Sequence, residues 1–365
     1  MRHAIAGLCL WLAAATVVTA QTAPAAPPAF SPATHEASFK DFRFRSGESL
    51  PSLRIRYETL GAPHKNAKGE IDNAVLLLHG TGGDGLSFMR PRFSGGMFGP
   101  GQPLDIAKFY IVMIDSIGHG GSSKPSDGLR ARFPHYDYGD MVEAEHRVTT
   151  EVLGIKRLRL LFGTSMGCMH AFLWAETWPD AASAIMPMAC LPVEIAGRNR
   201  VWRKMSIEAI KRDPDYKNGD YDREHPPLAG LRTAADLNFI AGSAPHQDQK
   251  TWPTRDAADA FVEAREKALA SAPDANDQIY FLDSSRTYNP EPDLGKITAP
   301  VLWINSDDDF INPPELGIAE RLAPKIRNGR FVRLPISAKT RGHGTHSVAE
   351  AWSDLMVDFL KATAP

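Results

Sequence analysis

Cysteine is scarce, with 3 residues in 365, which excludes a disulfide-built scaffold and any cysteine-rich metal module. No charge of one sign dominates: 41 Lys and Arg face 43 Asp and Glu, a formal net charge of -2. The chain therefore carries no broad field that would draw nucleic acid or an anionic membrane. There is no internal repeat. Past the N-terminus no apolar run reaches the roughly 20 residues that a membrane-spanning helix needs. The glycine-rich stretch "DSIGHGGSSKP" (Asp115 to Pro125) lacks the Gly-Lys-Ser/Thr ending and the following helix of a phosphate loop, and reads as a tight loop shaping a cleft. What remains is an ordinary folded composition, 43% hydrophobic and 23% charged, so function has to be argued from sites.

The first residues, "MRHAIAGLCLWLAAATVVTAQ", combine Arg2 and His3, an apolar stretch from Ala4 to Val18 and small residues at Val18 and Ala20. This pattern predicts a secretory signal peptide over 1–20, cleaved after Ala20, and hence a periplasmic or secreted protein. Cys9 would leave with it. An Ala/Pro-rich tether over 21–36 follows. Of the cysteines left, Cys168 and Cys190, export would permit a bridge, but both sit in apolar surroundings and read as buried free thiols.

Apolar runs of strand length recur at "NAVLLLHG" (Asn73 to Gly80), "FYIVMID" (Phe109 to Asp115), "LRLLFG" (Leu158 to Gly163), "SAIMPMAC" (Ser183 to Cys190) and "APVLWIN" (Ala299 to Asn305). Without polar alternation, they suit parallel strands covered on both faces. Helical patterns lie between them, over Tyr138 to Gly154 and Met166 to Pro179. The texture changes over 192–290, where charged helix formers replace buried strands, as in "GRNRVWRKMSIEAIKRDP". We read an α/β fold with a mostly parallel sheet flanked by helices, its core split into 37–191 and 291–365 by an inserted helical cap.

"GTSMG" (Gly163 to Gly167) sits directly after one strand and directly before a helix. A turn that tight admits only small neighbours and projects the Ser165 hydroxyl into a cleft at the helix N-terminus. A hydroxyl needs a base to accept its proton and a carboxylate to orient that base; at such sites the acid and then the His follow the Ser along the chain. Only His343 and His346 lie beyond a candidate acid. His343 is preferred, after Gly342 at the sheet edge, with His346 as the alternative base in the first turn of the last helix. Zinc held by this pair would lack further ligands, and no metal or organic cofactor is implied. "SDDDFINPPE" (Ser306 to Glu315) supplies the acid: Asp309 is preferred, Asp308 is the alternative, and Asp307 is read as turn-forming. The backbone N–H groups of Thr81, in "HGTGGDG", and Met166 are the expected oxyanion donors. His79 is expected to support that loop.

Together these segments resemble the α/β-hydrolase superfamily, and within it the homoserine O-acetyltransferase-like branch. The resemblance rests on "RYETLG", "HGTGGDG", "GTSMGCMHAF", "AIKRDPDYKNGDY", "GLRTAADL", "DFINPPE" and "GHG". It implies Ser165 as the acyl-accepting nucleophile, Asp309 as the orienting acid and His343 as the base. Two features of that branch are missing. An Asp normally follows the catalytic His, where this chain has Gly344, and Ala272 stands where an Arg would hold the amino-acid substrate. Acetyl-CoA, moreover, is a cytoplasmic metabolite that an exported enzyme would not meet. The expectation is therefore an exported serine hydrolase that cleaves a carboxylic ester or related acyl bond of a small molecule through an acyl-enzyme, with acyl transfer to an alcohol as the alternative. Arg198, Arg200, Trp202, Arg203 and Tyr280 are candidates to line the substrate pocket; a solvated basic helix face is the competing reading for the arginines. The cap is a candidate homodimer surface.

Overall fold

Each central strand is covered twice, which is why its sequence is apolar without alternation. In the computed structural model, which describes residues 30–268 and 274–364, the strands are β1 (Ala33–Arg43), β2 (Ser49–Leu60), β3 (Ala74–Leu78), β4 (Tyr110–Ile114), β5 (Leu160–Thr164), β6 (Ile185–Met188), β7 (Val301–Ser306) and β8 (Gly329–Leu334). They form one sheet in the order β1-β2-β4-β3-β5-β6-β7-β8. The β1–β2 and β2–β4 pairs are antiparallel and all others parallel. The helices are α1 (Pro91–Met97), α2 (Tyr138–Arg147), α3 (Met166–Thr177), α4 (Gly197–Arg212), α5 (Leu228–Gly242), α6 (Pro245–Thr251), α7 (Arg255–Ala268), α8 (Ala275–Asp283), α9 (Ile318–Leu322) and α10 (Ser353–Ala362). None is long and apolar enough to cross a membrane.

Strand β3 shows how the two faces divide. Ala74, Leu76 and Leu78 join a core with Met141 of α2 and Phe172 and Trp174 of α3. Val75 and Leu77 point the other way, into a core with Phe93 of α1 and Trp352, Met356 and Leu360 at α10. At about 25 cal/mol per Å2 of apolar surface, two such layers are the main favourable term holding the sheet. Strands β1 and β2 lie outside the runs read from the sequence, because their one-sided burial (Leu53, Ile55 and Tyr57 inside, Arg54 and Arg56 between them) carries charge at every second position.

The leader expected over 1–20 lies outside the described residues. Residues 21–29 of the tether expected over 21–36 also lie outside the described residues, and residues 33–36 belong instead to β1 and pair with β2, Ala33 opposite Thr59 and Glu36 opposite Arg56. Between β6 and β7 the described chain forms helices α4 to α8 and no strand. These helices carry a core of their own, built on Ile207 and Ile210 of α4, Leu231 of α5 and Ile279 and Leu282 of α8.

Candidate active site

Ser165 occupies the turn between β5 and α3 with φ 55° and ψ -110°, a conformation that costs an L-residue on the order of 1–3 kcal/mol. The neighbours explain how it persists. A Cβ at Gly163 would collide with the Gly167 carbonyl, and one at Gly167 with the Leu78 carbonyl, so only glycine lets β5, α3 and β3 approach this closely. The turn is pinned by the Ser165 N–H on the Met188 carbonyl at 2.9 Å and the Gly167 N–H on the His79 carbonyl at 2.9 Å.

The side chains expected to work together are in contact. The Ser165 hydroxyl lies 2.8 Å from Nε2 of His343, and Nδ1 of His343 donates to Oδ2 of Asp309 at 2.9 Å. With Nδ1 protonated toward the carboxylate, Nε2 is the free acceptor facing the hydroxyl. Asp309 is 2% exposed. Burial would raise its carboxyl, but the His343 charge and hydrogen bond, with donors from Asn312, outweigh this and hold it below its ordinary value.

Asn312 was not singled out in the sequence, yet it fixes the acid. Its backbone N–H and that of Ile311 donate to Oδ1 of Asp309 at 3.1 and 2.8 Å. Its side-chain amide bridges Oδ2 and the Ala189 carbonyl, at 3.0 Å each. An Asx-type loop in "DFINPPE" was the available signal.

The alternatives have other duties. Asp308 accepts from the Gly342 N–H at 3.0 Å and from the Ser306 hydroxyl, so it shapes the loop that carries His343 without touching the imidazole. Gly342 has φ +58°, and a Cβ there would press on the Ser243 carbonyl. Asp307 pairs with Arg333 at the surface. His346 lies in a short helical turn ahead of α10, its ring 5.5 Å from that of His343. Burial first, and the neighbouring His343 second, push it down to about 3, so it is neutral at any ordinary pH and the pair does not present two charged rings.

On the opposite wall, His79 accepts the Ser116 N–H at Nε2 (3.1 Å), so Nδ1 donates to the Gly80 carbonyl at 2.9 Å. Burial depresses its basicity, and it clamps the loop as a neutral ring. Asp115 accepts the N–H groups of Gly85 and Gly121 at 2.7 Å each, tying the same loop to "DSIGHGG". Thr81 borders a cavity of about 230 Å3 over Ser165, together with His343, His346, Phe88, Phe93 and Arg90. Met166 is the first residue of α3, where an N–H has no acceptor within its own helix.

Three sequence expectations are revised. Cys168 and Cys190 are not free thiols: they form a disulfide, with Cα atoms 5.9 Å apart. Both are fully buried, as their apolar surroundings imply, but their separation along the chain does not reveal that the first turn of α3 packs against the end of β6. Second, none of Arg198, Arg200, Trp202, Arg203 and Tyr280 borders the cavity over Ser165. Arg198 stacks on Phe310, Arg200 pairs with Asp283, buried Arg203 bonds Asn199 and lies over Trp202, and the Tyr280 hydroxyl donates to the Phe133 carbonyl at 2.6 Å. Third, α10 starts at Ser353 rather than at the histidines. Ala272, read against the branch's substrate-holding Arg, falls outside the described residues.

A family model described as the alpha/beta hydrolase fold matches residues 73–335, from β3 through β8. The chain belongs to the α/β-hydrolase superfamily. Among curated relatives, a "probable acyltransferase" of Methanothermobacter thermautotrophicus is 29% identical, covering 88% of this chain and 95% of its own. The homoserine O-acetyltransferase of Thermobifida fusca is 28% identical, with 82% and 85% covered. Among solved structures, an acetylester hydrolase from Corynebacterium glutamicum superposes with a TM-score of 0.78 at 18% identity, over 90% of this α/β hydrolase and 96% of its own chain. The homoserine O-acetyltransferase of Bacillus anthracis gives 0.76 at 20%, over 90% and 97%. At such identities these structures speak for the fold, while their names cover both hydrolysis and transfer.

Proposed function

We propose that this α/β hydrolase is an exported serine ester hydrolase that works through an acyl-enzyme. The observation that carries the reading is the unbroken chain from Asp309 through His343 to the Ser165 hydroxyl at 2.9 and 2.8 Å. His343 takes the Ser165 proton at Nε2 as Oγ attacks the acyl carbon. Asp309 stabilises the resulting imidazolium without accepting the proton. The negative oxygen of the tetrahedral intermediate is met by the N–H groups of Thr81 and Met166. On collapse the C–O bond to the alcohol breaks and Nε2 gives its proton to the departing alkoxide. Water enters by the same route in reverse: Nε2 accepts its proton, hydroxide adds to the acyl carbon, and Ser165 leaves protonated with the free acid.

Two features favour water as the acceptor. Where the resembled branch has an Arg that holds its amino-acid substrate this chain has Ala272, and where it has an Asp after the catalytic His this chain has Gly344. The leader pattern over 1–20 also argues for a periplasmic or secreted location, away from acyl-CoA. The Cys168–Cys190 bridge suits an oxidising compartment. Transfer to an alcohol is the second reading, favoured by relatives named as acyltransferases. Incubating the protein with an activated acetyl ester and a graded series of alcohols separates the two: hydrolysis predicts free acid as the main product throughout, and mostly transferred ester at low alcohol concentration would overturn it.

A further inference from the structure

The cavity over Ser165 has an unbalanced charge. Arg90 is the one permanently charged side chain that borders it, and no Asp or Glu does. Two of the imidazoles around it add no charge at neutral pH: His79 is a clamp whose basicity burial depresses, and His346 is pushed down to about 3, first by burial and in smaller part by His343 and Arg90. Among the described residues no carboxylate lies within ion-pair distance of Arg90, and it is the one arginine that borders this cavity. The nearby Asp84 is occupied by the Ser87 hydroxyl at 3.2 Å.

A second unmet demand lies in the same cavity. The Thr81 Oγ1 atom is buried and has no partner among the described residues, although a buried hydroxyl without one is costly. The apolar rings of Phe88 and Phe93, both buried, line the space between the polar groups, while Arg90 itself is exposed. At about 230 Å3 the cavity is smaller than the roughly 300–1,000 Å3 that drug-sized ligands occupy. It suits a short substrate.

We propose that Arg90 is a specificity-determining residue that binds a carboxylate on a short-chain ester held against Ser165, with the Thr81 hydroxyl supplying a further hydrogen bond to the bound substrate. The proposal rests on the hydrolase reading of Ser165. Guanidinium and carboxylate meet through paired N–H···O bonds, so a carboxylate at the far end of a short acyl chain is drawn in while its ester carbonyl lies at Ser165.

The test uses full-length protein and two esters of one phenol with succinic acid, one with the second carboxyl free and one with it methylated. The readout is the ratio of kcat/KM for the anionic ester to that for the neutral one. We expect Arg90→Gln to lower this ratio by about 10- to 100-fold, the range of a hydrogen bond to a charged group, and Arg90→Lys to lower it less. An unchanged ratio in Arg90→Gln overturns the proposal, whatever the absolute rates. Should neither ester turn over, calorimetric titration with succinate decides. Binding weakened in Arg90→Gln keeps the anion site while the hydrolase reading fails, and binding that is absent or equal in both proteins overturns the anion site.

Discussion

Two helices, α3 directly after Ser165 and α4 in the insertion between β6 and β7, obey different rules. Nine of the twelve residues of α3 are buried, among them Met166, Cys168, Phe172 and Trp174. Only four of the sixteen in α4 are: Arg203, Ser206, Ile207 and Ile210. A helix closed in on every side cannot shift without opening voids in both layers, so the residue at its start is held in place by the whole sheet. A helix with one buried stripe leaves its long polar side chains to find partners locally, which is what Arg198, Arg200 and Arg203 do. Chemistry that depends on position is on the first kind of element, and adaptable contacts are on the second.

The largest expected effects come from breaking the positioned side. Ser165→Ala and His343→Ala should each lower kcat by about 10^4-fold or more, in line with triad knockouts elsewhere, whereas His346→Ala keeps most of the turnover. Ester hydrolysis with purified variants checks this, and the opposite histidine result would transfer the base to His346. Asp309→Asn should cost about 10^4-fold by favouring the wrong imidazole tautomer. Asn312→Ala, acting through Asp309, should lower kcat by about 10-fold while KM changes little, because it loosens the acid and touches no substrate.

The Cys168–Cys190 bridge comes next. Cys168 and Cys190 are 22 residues apart in sequence, and a loop of that length gives about 3 kcal/mol of stabilisation in the chain-entropy account. Replacing both with Ser should lower the free energy of unfolding by roughly that amount in urea titrations. Cys190 also accepts the side chains of Trp303 and Asn305 at its carbonyl, and its neighbour Ala189 holds Asn312. The loss should therefore appear in kcat as well as in stability.

A smaller effect is set by pH. Glu176, near the end of α3, has its carboxyl raised to about 8 by burial, with Asp293 adding to the shift. A carboxyl whose folded value exceeds its unfolded value is penalised when ionised, so its contribution is complete below pH 4.5 and is lost as pH rises through about 8. Glu176→Gln removes that loss: its melting temperature relative to the parent should rise by about 2–4 °C between pH 6 and pH 9. Parallel slopes for the two proteins would show the site to be more hydrated than its packing implies.

How much of this was legible in the sequence follows the same division. The glycines around Ser165 and the order Ser165, Asp309, His343 could be read because local sterics and chain order leave few alternatives. The central strands could be read because burial on both faces erases polar alternation. Strand β2 could not, since half-buried Arg54 and Arg56 alternate with buried Leu53, Ile55 and Tyr57. Nor could the Cys168–Cys190 bridge or the Asn312 clamp, which depend on α3, β6 and the loop after β7 meeting in space. Arg90 stood unremarked in "SFMRPRF" because nothing local distinguishes an arginine without a partner from one that has one.

The smallest predicted effect probes the adaptable side directly. Arg200 pairs with Asp283 at 3.0 Å, both side chains partly exposed, and Arg286 holds the same carboxylate at 2.8 Å. Burial tends to raise Asp283, but these two guanidinium groups outweigh it and keep it below its ordinary value. Removing one of two partners leaves the other in place, so Arg200→Ala should cost about 0–1 kcal/mol of stability. Its kcat/KM for short esters should change by less than about twofold, a few tenths of a kcal/mol. A fall of tenfold or more, measured beside Arg90→Gln with the same ester pair, would mean that α4 reaches the substrate during turnover, and the division between a positioned core and an adaptable insertion would no longer hold.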